Sequence, residues 1–174
     1  KVSIYFIKDK KVHPVMENVI GKDAFLSIVG KLNEIEFSSD SYISEAIQPE
    51  SVGYGDGMSV IISDFLTDND FTDAIDYLVG KKRHVFCIQV LSRDELNPPM
   101  RGKSHLFDSE DAERSYRENI DRDVMAAYRE ALAYVTGRVR EACIARGADY
   151  MLAPDTDSMA KLFFGDMVDM GVLK

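Results

Sequence analysis

Val2, Ile4 and Phe6 alternate with Ser3, Tyr5 and Ile7, the two-residue period of a strand. The Lys8-Asp9-Lys10 stretch turns the chain into a second short extended piece over Lys11 to His13, so the chain opens on a β-hairpin. From Lys22 the period lengthens. Phe25, Leu26, Ile28, Val29, Leu32 and Ile35 fall at helical spacing and predict an amphipathic helix over about Lys22 to Ile35. A polar Ser38-Ser39-Asp40-Ser41 stretch then leads to a short helix through Ile43, Ala46 and Ile47, which Pro49 ends. Met58 to Ser63 is a short β-branched run of the kind found in buried parallel strands, and it stops at Asp64. Asp70 can cap a helix carrying Phe71, Ala74, Ile75 and Leu78, with Gly80, Lys81 and Lys82 as its C-terminal signal. A second buried strand runs from His84 to Leu91. Strand, helix and strand at this spacing form a βαβ unit, hence a parallel sheet.

Arg93 to Asp121 interrupts this rhythm, with Pro98-Pro99 in a loop and weak alternation over Lys103 to Phe107 and Ala112 to Glu118, which reads as one inserted β-hairpin. Val124, Ala127, Tyr128, Ala131, Leu132, Val135, Val139, Ala142 and Cys143 then make one apolar stripe on a helix from about Arg122 to Arg146, stopped by Gly147. Asp149 to Ala153 is a last short strand, and Thr156 or Asp157 caps a final helix through Leu162, Phe163 and Met167. The pattern predicts an α/β, Rossmann-like, doubly wound and mostly parallel sheet with a small β-hairpin insertion.

At 174 residues and 45% hydrophobic content, residues 1–174 are expected to form a single domain around one core. No apolar run approaches the ~20 residues of a membrane helix, and no basic region followed by an apolar core opens the chain. The segment is therefore expected to be cytoplasmic and to contact no membrane, although the abrupt strand at Lys1 leaves room for an upstream signal or anchor. Cys87 and Cys143 sit at apolar positions of a strand and a helix, where buried free thiols are common, and no CxxC pair accompanies the scattered His13, His84 and His105. A disulfide framework and a structural zinc site are both disfavoured. The net charge of −9 argues against nucleic acid as a partner, since phosphate binding needs clustered Lys and Arg.

Asp64 is the most informative candidate, because open α/β sheets bind ligands beyond the carboxyl ends of their strands. It is either a ligand-site acid or a loop-capping residue. The following Phe65-Leu66-Thr67-Asp68-Asn69-Asp70 loop is rich in the oxygen donors hard cations prefer, but a solvated loop that caps the next helix explains Asp68 and Asp70 better. Ser39-Asp40-Ser41 could reach the same crevice, and N-capping alone accounts for it equally. Gly53, Gly55 and Gly57 precede a strand instead of opening a helix, so they do not form a phosphate-cradling loop. Asp64-Phe65-Leu66 lacks the second acid of an aspartate-nucleophile phosphatase. The Asp108, Glu110, Asp111 and Glu113 cluster lacks the glycine of an EF-hand turn. No serine or cysteine nucleophile is paired with a histidine base in a recognisable motif.

The order of hairpin, helix, Ser-rich helix start, strand ending in Ser63-Asp64, helix and strand is similar to a von Willebrand factor A domain entered at its second strand. In that family a metal site called MIDAS draws on an Asp-x-Ser-x-Ser motif after the first strand, a Thr in a second loop and an Asp after the fourth strand. Ser41-Tyr42-Ile43-Ser44-Glu45-Ala46-Ile47 resembles the second loop with Ser in place of Thr, and Val60-Ile61-Ile62-Ser63-Asp64 resembles the third. Downstream, His105-Leu106-Phe107-Asp108, Arg122-Asp123-Val124-Met125-Ala126-Ala127-Tyr128 and Gly147-Ala148-Asp149-Tyr150 resemble the bacterial subgroup known as domain of unknown function 58. Members of that subgroup are often encoded beside MoxR-type AAA+ ATPases, so the resemblance implies a metal-assisted binding module serving such an ATPase.

The Asp-x-Ser-x-Ser motif is absent, and the nearest string, Asp155-Thr156-Asp157-Ser158-Met159, lies at the wrong end with Asp and Met where the hydroxyls belong. The resemblance thus implies an N-terminally incomplete domain whose metal site retains Asp64 and Ser41 and holds Mg²⁺ only weakly, because Mg²⁺ demands near-octahedral oxygen geometry. The resulting expectation is a non-catalytic protein-interaction module, with a metal-dependent hydrolase using Asp64 as the alternative. Without the central strand, the strands at Val2 to Ile7 and Met58 to Ser63 are expected to pair directly or to carry a homo-oligomer along their edges.

Overall fold

The computed structural model describes residues 1–35, 42–48, 55–66, 71–107 and 115–172. It divides into two compact units, one formed by Lys1–Gly53 with Thr67–Tyr77 and the other by Tyr54–Leu66 with Leu78–Lys174.

In the first unit, β1 (Val2–Lys8) and β2 (Lys11–Val19) form the antiparallel hairpin that the alternation predicts, with a second strand longer than the expected Lys11 to His13. Lys8 pairs with Lys11 across a two-residue turn in which Asp9 and Lys10 have φ of 51° and 60°. Positive φ at both central positions gives the turn a twist that matches the strands, even without glycine. Phe6 stacks on His13 with ring centroids 5.2 Å apart. Helix α1 (Lys22–Leu32) ends three residues before Ile35, because the N–H groups of Asn33, Glu34 and Ile35 close the last turn onto the carbonyls of Val29, Lys31 and Leu32. Helix α2 (Ile43–Ala46) buries Ile43 and Ala46.

The second unit is built on three parallel strands, β3 (Met58–Ser63), β4 (His84–Leu91) and β7 (Asp149–Pro154), in the order β3-β4-β7. Helix α3 (Thr72–Gly80) lies between β3 and β4 in the chain, with its residues through Tyr77 counted in the first unit and Leu78–Gly80 in the second, and Ala74, Ile75 and Leu78 on it are buried. A short helix α4 (Arg93–Leu96), not foreseen from the sequence, follows β4. Next come the inserted hairpin of β5 (Gly102–Phe107) and β6 (Ser115–Ile120) and the long helix α5 (Arg122–Ala145). Asp121 caps α5 by accepting from the Asp123 and Val124 N–H groups, and Gly147 ends it in a left-handed conformation with φ of 71°.

The chain is thus a mixed α/β protein whose parallel sheet is flanked by helices, consistent with a Rossmann-like fold. Side chains alternate across the sheet, so register partners share a face. On one face Cys87 of β4 is hydrogen-bonded to Cys143 of α5, and Val85, Gln89, Leu91 and Val139 are fully buried. On the other, Phe86, Met151 and Ala153 pack with Leu162 and Met167 of the C-terminal segment. That segment runs through α6 (Met159–Lys161), a π-helical stretch Leu162–Asp166 and α7 (Met167–Asp169). Its cap is Ser158, whose Oγ accepts from the Lys161 N–H, and not Thr156 or Asp157. The reason is local: the Asp157 carboxylate turns instead to the Lys161 ammonium, 2.8 Å away.

Of the two arrangements expected for β1 and β3, direct pairing is not found among the described residues, where β1 pairs with β2 and β3 with β4. The α5 stripe is fully buried only at Val139 and Cys143, while Tyr128, Leu132 and Val135 are half-buried and Ala127 is exposed. No described helix is long and apolar enough to cross a membrane.

Candidate functional site

Asp64 emerges at the carboxyl end of β3, as the sequence predicts, and is exposed. Its turn is tightly bonded. Asp64 Oδ1 accepts from the Leu66 N–H at 3.1 Å, and Ser63 Oγ accepts from the Phe65 N–H at 3.1 Å. Asx- and Ser-type turns of this kind are what short polar side chains form at strand ends. Phe65 sits between them at φ of 54°, a conformation L residues seldom adopt, with its side chain fully buried. Beneath the turn, Gln89 Nε2 donates to the Asp64 carbonyl at 2.6 Å, and the Tyr150 hydroxyl donates to Gln89 Oε1 at 2.7 Å. Burial is the main cause that pushes the Tyr150 phenol above its ordinary range, so the hydroxyl stays a donor at neutral pH.

The neighbouring strand ends carry acids whose oxygens are likewise given to backbone. Ser92 and Glu95 form a reciprocal capping box at α4, with the Glu95 carboxylate accepting from the Ser92 N–H at 2.6 Å. Asp155, just beyond β7, accepts from the Arg93 N–H at 2.9 Å. The Tyr128 hydroxyl of α5 donates to the Glu95 carbonyl at 2.7 Å and so ties the long helix to α4. The carboxyl edge of the sheet is therefore acidic and firmly held. The amino edge is tied by side chains: His84 Nε2 lies 2.6 Å from Asp149 Oδ2, and Arg83 donates to Ser59 Oγ and the Met58 carbonyl.

Ser41, Ser39, Asp40, Asp68 and Asp70 lie outside the described residues, as do Asp108, Glu110, Asp111 and Glu113. Among the described residues, no three His, Cys, Asp or Glu side chains gather as a metal-binding group. Asp64 offers a cation a single carboxylate, one oxygen of which is engaged by the Leu66 N–H, whereas Mg²⁺ takes near-octahedral oxygen coordination. Sequence reasoning missed Gln89 and Tyr150. A polar residue within the run His84 to Leu91 is the one signal that could have drawn attention to Gln89.

An α/β protein with a fixed acidic turn at the carboxyl edge of its parallel sheet is the class that this geometry defines. The family model described as "Protein of unknown function DUF58" matches residues 8–137, more than half of the chain, and the protein belongs to that family, in agreement with the resemblance at His105 to Asp108 and Arg122 to Tyr128; Gly147 to Tyr150 lies beyond the matched residues. No curated protein and no solved structure matches the chain.

Proposed function

We propose that this chain is a non-catalytic protein-interaction domain of the von Willebrand factor A type that docks its partner at the carboxyl edge of β3, β4 and β7, with Asp64 as the central contact. The observation that carries this reading is Asp64 itself, exposed on a turn whose backbone is fixed by bonds from Phe65, Leu66 and Gln89. A preorganised carboxylate loses little freedom on binding, which is what a docking residue needs. The partner suggested by the family resemblance is a MoxR-type AAA+ ATPase. Mg²⁺, coordinated by the Asp64 carboxylate and otherwise by water, is held weakly and assists the contact.

The test is capture of partners by the intact gene product, with and without Asp64→Ala. An AAA+ ATPase retained by the parent and lost in the variant supports the proposal, and equal capture by both removes Asp64 from the interface. Phosphatase and nuclease assays with Mg²⁺ or Mn²⁺ address the hydrolase alternative, and turnover abolished by Asp64→Ala would replace the docking function with catalysis.

A further inference from the structure

Gln89 is the one described polar side chain in the fully buried core of the second unit, at 0% exposure among Val85, Cys87 and Leu91. An aliphatic side chain would fill that position with no polar atoms to satisfy, whereas a buried amide destabilises unless both its ends are bonded. Both ends are bonded, and the bonds run across the sheet: Nε2 to the Asp64 carbonyl from β3, and Oε1 from the Tyr150 hydroxyl on β7. The partners determine the direction of the chain of bonds. A carbonyl only accepts, so the amide must turn its nitrogen to Asp64, which leaves its oxygen for the Tyr150 hydroxyl. Glutamate, methionine and leucine each lack the donor at one end.

We infer that Gln89, oriented by Tyr150, is a positioning residue for Asp64 that holds the docking turn in register with the sheet. The inference rests on the reading of Asp64 as the docking residue and extends it to two residues that do not themselves meet the partner. The bridge acts on backbone. It fixes the Asp64 carbonyl from below, while Oδ1 is fixed from within the turn by the Leu66 N–H. It also supports the left-handed Phe65, whose φ of 54° persists only where surrounding bonds over-determine it. Without the bridge the turn is free to relax Phe65, and the Asp64 carboxylate moves with it.

The test is residue-resolved amide hydrogen exchange on the full chain, comparing the parent with Gln89→Met and Tyr150→Phe. Gln89→Met is expected to speed exchange at Phe65 and Leu66 at least tenfold more than at Val139 and Cys143 of α5. Tyr150→Phe, which removes only one hydroxyl, is expected to do so about threefold, and it keeps the test open if Gln89→Met does not fold. Equal acceleration at Phe65, Leu66, Val139 and Cys143 would mean general loosening of the core, and unchanged exchange at Phe65 and Leu66 would mean that the bridge does not hold the turn. Either result overturns the positioning role. Partner capture unaffected by Asp64→Ala would instead defeat the docking reading, with the exchange result deciding separately whether Gln89 holds the turn.

Discussion

The two faces of the three-stranded sheet are closed in different ways. On the α5 face Ile61, Cys87 and Gln89 are buried from β3 across to β4, and the contacts that close it are partly polar: the Cys87–Cys143 thiol pair and the Gln89 bridge. On the opposite face the C-terminal segment covers Phe86, Met151 and Ala153 with purely apolar contacts, while Met58, Val60 and Ile62 of β3 stay exposed. One face therefore carries specific, directional bonds that fix strand ends, and the other carries packing that stops short of the edge strand. Directional bonds hold the Asp64 turn more closely than packing would, because packing alone tolerates small shifts.

The largest expected effect lies on the apolar face. Phe86 is 1% exposed and packs with Met151, Ala153, Leu162 and Met167, so Phe86→Ala is expected to cost about 3–5 kcal/mol in urea unfolding. A cost below about 1 kcal/mol would show that the C-terminal segment does not cover the sheet. On the other face the effect is graded along α5. Leu132 is only half-buried, so Leu132→Ala is expected to cost about 1–2 kcal/mol, less than the full penalty of an emptied core site. A loss equal to that of Phe86→Ala would place the amino-terminal half of α5 in the core as well.

This gradient also marks what the sequence could convey. The bounds of β3 and β4 are legible because strands buried in a parallel sheet read as continuous apolar runs, and Gly147 marks the end of α5 because the left-handed position there favours glycine. The α5 stripe is legible as a period but not as a depth, since periodicity gives a direction and not the extent of the neighbour it faces. Helix α4 has no apolar period at all and exists through the Ser92–Glu95 capping box, a signature hidden among other polar residues. Asp64 is legible from its place at a strand end. The Gln89 bridge is not, because its partners lie 25 and 61 residues away and only the register of the sheet brings them together.

The polar closure of the α5 face has a pH signature. The hydrogen bond that Cys87 donates to Cys143, and then burial, push the Cys87 thiol far above its ordinary value of 9.0, while the same bond holds Cys143 below it; Tyr150 and Tyr128 are raised from 10.0, mainly by burial. Above about pH 9 the unfolded chain releases protons that the folded chain keeps, so the folded state binds more protons and stability falls as pH rises. The lowered Cys143 acts in the opposite sense below pH 9, so the expected signature is the drop in the urea midpoint beyond pH 9, where Cys87, Tyr150 and Tyr128 keep protons that the unfolded chain has released. Cys87→Val combined with Tyr150→Phe should flatten the drop, and an unchanged drop would assign it to other groups. Because both thiols are buried, neither should react with a disulfide reagent at pH 8 until the chain unfolds.

The smallest effect is expected at the exposed end of the comparison, one residue away from a buried position. Ile61 is 7% exposed and Ile62 is 68% exposed, because consecutive side chains of a strand point to opposite faces and only one face of β3 is covered. Ile61→Ala should therefore destabilise by about 2 kcal/mol or more, whereas Ile62→Thr keeps the β-branched shape and exchanges a solvent-facing ethyl group for a hydroxyl that water can bond. Its expected change is within about 0.5 kcal/mol, as at other surface sites. The pair is read by urea unfolding at two protein concentrations a hundredfold apart. A cost above 1 kcal/mol for Ile62→Thr that appears only at the higher concentration would show that a second copy covers Met58, Val60 and Ile62, the oligomer that an uncharged edge strand invites. A cost of that size at both concentrations would mean that another part of the same chain closes the face, and the contrast between the two faces of the sheet would then disappear.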